Sequence, residues 1–442
     1  MQKERKKTKV KEQDIQSEKT TAEVAKTNTS QVPKAATKEG LTPDKVSADK
    51  SIVAAEKSTS AELIVSSQIG KKVESPFQRK LKRMTSHPYF GFILVGFISI
   101  LLLLLYVAGA MGISTLRALG LTIIYFTVAL GFTLLLGYSG LASLGTAGFI
   151  GLGAYSVGYF IGSVGVPPLL AFIISIIIAI LIGSIVGFIS LRIEGMYLAI
   201  ITLGLSEILY EVFKNADSIT GGVTGFRLKR PNFLFAISIS VELAFVLAVI
   251  VMVLAMIITA NIIKSPTGRA MLSMKNSTSA AQAMGISLLK YRLLAFVLST
   301  VYAVIGGGLY MLFYRFTIPG TWSLALSLNI LAAVIVGGAK SIWGVFLGSF
   351  LIFGFDLAIL QKIKFFADNP NASLIFSGLL IIIIVMFYPL GLIQFFRNSY
   401  YRIRKWISKL IETQRRKRYG DTNESNQVKS QYILEQRQKI AG

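Results

Sequence analysis

After Tyr89 the chain passes through one apolar stretch after another, each close to the length of a helix that crosses the hydrocarbon layer of a bilayer. A helix rises about 1.5 Å per residue, so roughly 20 apolar residues cover the ~30 Å core. Reading apolar runs between polar or Gly/Pro breaks gives ten of them, near 90–110, 115–136, 140–160, 168–190, 196–213, 239–263, 291–314, 325–340, 342–361 and 373–391. The composition agrees: 53% of residues are hydrophobic and 15% charged, whereas charged residues make up about a quarter of an ordinary soluble chain. The expected fold is all-α, a polytopic membrane protein with about ten transmembrane helices. Some should be discontinuous, because Gly-rich segments within 140–160 and 325–361 allow half-helices that turn back.

Three regions follow from the charge pattern. Residues 1–87 are rich in Lys, Thr, Glu, Ser and Ala and lack a sustained apolar period, which reads as a disordered basic tail rather than a secretory leader. Residues 88–396 hold the membrane domain, and 397–442 form a second basic tail. The net charge of +24 does not point to nucleic acid, because most of the excess flanks the membrane domain, where Lys and Arg retain loops on the cytoplasmic side and approach anionic lipid. Arg79, Lys80, Lys82 and Arg83 precede the first run, and Arg397, Arg402, Arg404 and Lys405 follow the last. Both termini are therefore expected in the cytoplasm, with an even span count and a cytoplasmic loop at 265–290 carrying Lys264, Arg269 and Lys275. Arg227, Lys229 and Arg230 fall outside in this scheme, against the trend.

Several chemistries are excluded. There is no cysteine, and the single histidine, His87, lies where the tail meets the first run, so thiol chemistry and a Ser-His-Asp triad have no material. An intramembrane enzyme would need titratable groups converging inside the spans, and the carboxylates there are scattered. The stretch from Val336 to Gly344 is Gly-rich and contains Lys340-Ser341, but it lacks the G-x-x-x-x-G-K-[ST] spacing of a phosphate loop, as does the rest of the chain. This chain is thus expected to bind no cofactor itself. If ATP drives it, the ATP and Mg sit on another polypeptide.

The segments with functional promise are those that break the apolar pattern. Tyr138, Ser139, Gly140, Ser143 and Thr146 lie in a Gly-rich stretch from 137 to 148. Irregular backbone at membrane depth must be buried in protein or line a polar cavity, so these residues either pack helices closely or offer hydroxyls to a solute. Thr220, Gly221 and Gly222 form a second Gly-rich segment, read as tight turns or as a surface that receives solute or a docking protein. Glu207 and Asp356 are carboxylates within apolar runs, which face either a structural hydrogen bond or the pathway. Ala280, Ala281, Gln282, Ala283 and Met284 form a helix-favouring stretch that Gly285 ends, suited to docking a partner or lying on lipid.

Taken in order, Gly137-Tyr138-Ser139-Gly140, Ser143-Leu144-Gly145, Gly195-Met196-Tyr197-Leu198-Ala199-Ile200, Thr220-Gly221-Gly222, Ala280 to Gly285, Leu293-Leu294-Ala295-Phe296, Gly337-Gly338, Trp343-Gly344 and Pro389-Leu390-Gly391-Leu392 resemble the LivM-type permeases of branched-chain amino acid ABC importers over about 113–395. The resemblance implies a bacterial plasma-membrane importer in which this chain forms the pathway for branched-chain or other hydrophobic amino acids. Its partners would be a second permease subunit, two ATPase subunits and an extracytoplasmic solute-binding protein. It also implies that Tyr138, Ser139, Gly140, Ser143, Thr146, Glu207 and Thr220-Gly221-Gly222 line the substrate pathway. Ala280, Ala281, Gln282 and Gly285 would form the ATPase coupling loop. The chain departs from the family pattern at Thr146, where histidine is usual, and at Asn276, Ser277, Thr278 and Gln282, where acidic residues are usual. A less charged ATPase contact follows. The competing readings are a permease for a nucleoside, sugar or urea, and a stand-alone secondary transporter.

Overall fold

The computed structural model describes residues 89–190, 197–228, 239–358, 360, 363–368, 370–388, 391–395, and 402, 405, 406 and 408. The expectations for the two tails, for Gly195-Met196, for Lys229 and Arg230, for Pro389-Leu390 and for the side chain of Asp356 lie outside the described residues.

The molecule is a bundle of helices: α1 Phe90–Val107, α2 Ile113–Phe132, α3 Thr146–Gly162, α4 Pro168–Ser190, α5 Tyr197–Asn215, α6 Val241–Lys264, α7 Pro266–Asn276, α8 Thr278–Ala283, α9 Leu288–Tyr314, α10 Leu324–Gly337, α11 Ile342–Ser349 and α12 Pro370–Phe387. The β-structure among the described residues is one short antiparallel pair, β1 Phe226–Arg227 against β2 Phe316–Thr317. Each apolar run read from the sequence coincides with a helix over most of its described residues. Among the described residues, five segments are long and apolar enough to cross a membrane: Phe90–Val107, Ile113–Tyr138, Pro168–Ile189, Val241–Lys264 and Leu288–Tyr314. Others are shorter, and α10 with its 14 residues spans only about 21 Å at the standard helical rise.

Two of the helices continue as π turns, α2 through Thr133–Tyr138 and α11 through Phe350–Gly354, where the backbone takes in an extra residue per turn. The run read as 140–160 becomes helical only at Thr146. The seven residues before it are irregular because Gly140 has φ +73 and reverses the chain, and because neighbouring helices supply partners for the amides, as described below.

α9 is the central helix and packs on α2, α3, α4 and α6. Apolar side chains gain nothing by leaving lipid for protein, so close backbone approach and dispersion must hold such a pair together. At the α3–α9 contact a Cβ on Gly307 would lie 1.9 Å from the Ile150 carbonyl oxygen, and one on Gly153 would lie 2.2 Å from that of Val304. Only glycine lets these two backbones meet.

The bundle has two distinguishable ends. At one, Tyr89 hydrogen-bonds Asn261 and has the Lys264 ammonium over its ring, Phe92 packs on Trp343, and Gly391 lies against Gly338. This end also carries α7 and α8, so the start of α1 and the segment after α12 share a side with that loop. At the other end the β1–β2 pair lies with Arg315, whose guanidinium donates to the Ile239 carbonyl. Arg227 stacks over Phe316 there, on the side opposite the α7–α8 loop.

Candidate functional site

The first Gly-rich segment begins where α2 ends. The π turn leaves carbonyls that an α-helix would pair, and Ser139 uses its hydroxyl to donate to the Leu135 oxygen at 2.6 Å. The Tyr138 hydroxyl donates to the Lys340 carbonyl at 3.1 Å, fixing the α10–α11 turn to the end of α2. Past Gly140 the chain re-enters the bundle toward α3. Its amides find side-chain oxygens from distant elements: Leu144 N donates to Thr202 Oγ1 on α5 at 3.0 Å, and Ala147 N to Ser327 Oγ on α10 at 2.9 Å. Gly145 N donates to Ser143 Oγ at 3.2 Å. An unpaired buried amide costs about 1–3 kcal/mol, so these hydroxyls make an irregular segment tolerable at membrane depth.

Ser143 and Thr146 are buried and line a cavity of about 10 Å³ with Leu135, Phe149, Phe296, Ser299, Thr300 and Ala303, between α2, α3 and α9. That volume holds about one water molecule. Tyr138, Ser139, Gly140, Ser143 and Thr146 thus come together as a packed reversal rather than as the wall of an open channel. A solute passes them only if the segment moves.

Glu207 lies elsewhere. α5 buries Leu198, Thr202, Ser206, Leu209 and Phe213 against the bundle, while Tyr197, Ile200, Gly204, Glu207 and Ile208 face outward. Glu207 makes no hydrogen bond or ion pair among the described residues, whereas Glu211 pairs with Lys214 at 3.6 Å. Thr220, Gly221 and Gly222 form a tight turn beyond the far end of α5. Thr220 is buried and donates to the Phe213 carbonyl at 2.7 Å, and both glycines have positive φ.

The loop between α6 and α9 holds the second cluster. α7 opens on the Ser265-Pro266 cap, with Gly268 N donating to Ser265 Oγ at 3.4 Å. α8 opens on Ser277, whose Oγ accepts from Ala280 N at 3.3 Å. It closes in a Schellman turn: Ile286 N donates to the Ala281 oxygen at 3.0 Å, Gly285 N to that of Gln282 at 2.9 Å, and Gly285 has φ +77. The helix ends one residue earlier than the sequence pattern suggests, with Met284 as its cap. Ala281 is buried, while Ala280, Gln282, Ala283 and Gly285 are exposed and Met284 is 82% exposed.

Lys275 joins the two clusters. Its ammonium donates to the Leu136 and Gly137 carbonyls, each at 2.9 Å. Its pKa is held below the usual lysine value, first by desolvation and then by the nearby charge of Lys340. Sequence reasoning used Lys275 only as a topology marker and passed over Thr202 and Ser327. A hydroxyl in an apolar run was the available signal for the last two, but their partners are 58 and 180 residues away.

The chain matches the family model described as branched-chain amino acid transport system / permease component over residues 114–385. Among curated proteins it is similar to the high-affinity branched-chain amino acid transport system permease protein LivM of Escherichia coli strain K12, at 28% identity over 63% of this chain and 69% of the relative. The LivM protein of Salmonella typhimurium is similar at 27% over the same shares. The probable branched-chain amino acid transport permease protein LivH of Methanocaldococcus jannaschii is 27% identical over 54% of this chain and 74% of its own length. No solved structure matches the chain.

Proposed function

Because the chain belongs to the family of branched-chain amino acid transport system permease components, we propose that it is the membrane subunit of an ATP-driven importer for branched-chain amino acids. The observation that carries this reading is the extent of the match, which runs from the start of α2 nearly to the end of α12 and so takes in almost the whole bundle. In this reading ATP is hydrolysed by two separate ATPase subunits seated on α8, an extracytoplasmic binding protein delivers the solute at the β1–β2 end, and both termini are cytoplasmic. The exposed Ala280, Ala283 and Met284 suit an apolar contact with an ATPase, and Met284 adapts readily to a partner surface.

The solute path is assigned to the outward face of α5, shared with a second permease subunit. Glu207 supports this. A carboxylate near the middle of a 19-residue helix is costly against lipid tails, and normally faces a partner or a watered cavity. The reversal with Ser139, Ser143 and Thr146 then serves as a gate beside that path, because it is closed and packed.

The test is reconstitution of the permease with candidate ATPases, a second permease and a binding protein from the same organism. Radiolabelled leucine should enter proteoliposomes only with ATP, and unlabelled isoleucine or valine should compete. Uptake without the ATPases would favour a secondary transporter, and competition by a nucleoside, sugar or urea alone would overturn the substrate assignment.

A further inference from the structure

A docking helix can drive transport only if something rigid carries its displacement into the membrane. α8 has six residues and α7 has eleven, and their contact with the bundle rests on Gly268, Ala270, Met271, Met274 and Ala281. Such apolar contacts allow sliding, because they are not directional. Lys275 differs. It leaves the last turn of α7, two residues before the Ser277 cap of α8, and its stem crosses the chain reversal, where a Cβ on Gly140 would sit 3.1 Å from Lys275 Cγ. Its ammonium then donates to the Leu136 and Gly137 carbonyls, each at 2.9 Å. Those oxygens lie at the negative end of the α2 dipole, where a cation is favoured and charge-assisted bonds are short and directional.

Lys340 brings a third element to the same point. Its carbonyl accepts from Tyr138, one residue past Gly137, and its charge bears on Lys275. The end of α2, the end of α7 and the α10–α11 turn thus converge within one residue of the reversal that leads to Ser143 and Thr146.

We propose that Lys275 is the positioning residue that transmits movement of the docking helix α8 to the 139–145 reversal. The proposal rests on the permease reading above. When α8 shifts, the two ammonium–carbonyl bonds pull the end of α2, and the stem lying on Gly140 turns the reversal with it.

The experiment uses the assembled importer in lipid nanodiscs or proteoliposomes, wild type against Lys275→Met and Lys275→Arg. Methionine keeps a stem over Gly140 and removes the donors; arginine keeps charge and donors. Three readouts are taken: ATP hydrolysis, leucine uptake per ATP, and amide hydrogen exchange in 139–145 and in α8 with and without ATP. In wild type, ATP should change exchange in both segments. Lys275→Met should keep the ATP response of α8 and hydrolysis within about twofold, lose the response at 139–145, and lower uptake per ATP about tenfold, the range of an ordinary coupling energy. Lys275→Arg should restore most of it. An unchanged response at 139–145 in Lys275→Met overturns the proposal, whatever the uptake.

If Lys275→Met fails to assemble, Lys275→Gln, which removes the charge and shortens the reach to the two carbonyls, takes its place, and the same loss at 139–145 is required of it. Absence of leucine uptake in the wild type would count against the permease reading alone, because the exchange response needs no solute.

Discussion

Gly285 is the residue at which the proposed coupling loop can be perturbed with least collateral damage. Its φ is +77, and no atom lies within 4 Å of where a Cβ would stand, so a larger side chain there meets open space and the penalty is backbone strain alone. For alanine that penalty is about 1–2 kcal/mol. For valine it reaches about 1–3 kcal/mol. Asparagine tolerates this conformation and should cost least. α8 cannot absorb the strain: at six residues it is far below the roughly 12–15 a helix needs to persist alone. It is held by the Ser277 cap, buried Ala281 and the two Schellman bonds at 2.9 and 3.0 Å that a shift at Gly285 would break. Since about 1.4 kcal/mol is tenfold in an equilibrium, Gly285→Val should raise the open population of α8 by about 5- to 150-fold. Hydrogen exchange at 281–286 should quicken in the order Asn, Ala, Val, with membrane abundance unchanged. Solute-stimulated ATP hydrolysis should fall in the same order. Exchange in Gly285→Val equal to wild type would refute the strain argument, and a slower Val than Asn would refute its link to φ.

In a chain without cysteine, a single cysteine at Ser277 should resist an impermeant thiol reagent in intact cells, whereas one at exposed Thr224 should react; labelling at Ser277 would reverse the assigned orientation. Gly307→Val forces a side chain onto the Ile150 carbonyl oxygen and should cost about 1–3 kcal/mol or more, read as a lower melting temperature and lower abundance. Thr202→Val keeps the shape of the side chain but removes the oxygen that accepts from Leu144 N, a loss of about 1–3 kcal/mol, with uptake falling while the protein still reaches the membrane. Glu207→Leu should lower uptake at unchanged abundance, and normal uptake would remove the outer face of α5 from the pathway.

Run length, glycine placement and local capping were legible in the chain itself. Apolar runs became helices because a backbone in lipid must pair its amides internally. The Gly285 stop of α8 was visible because it depends on residues within a turn, whereas the glycine density before Thr146 announced a break whose amide partners, Thr202 and Ser327, lie far along the chain. Which face of each helix turns inward was not visible. In a water-soluble helix the apolar stripe marks the buried side, but α1 and α4 are apolar all round and still leave Ile93, Phe97, Leu169 and Ile185 exposed. With hydrocarbon outside and packed side chains inside, hydrophobicity does not distinguish the two. Only the tertiary structure turned Glu207 outward, spent the Ser139 and Ser143 hydroxyls on nearby backbone, and brought Thr202, Ser327 and Lys275 to segments 58, 180 and 138 residues away. Such pairings are set by where a hydroxyl or an ammonium finds an unpaired amide or carbonyl in three dimensions, and a linear pattern holds no trace of that.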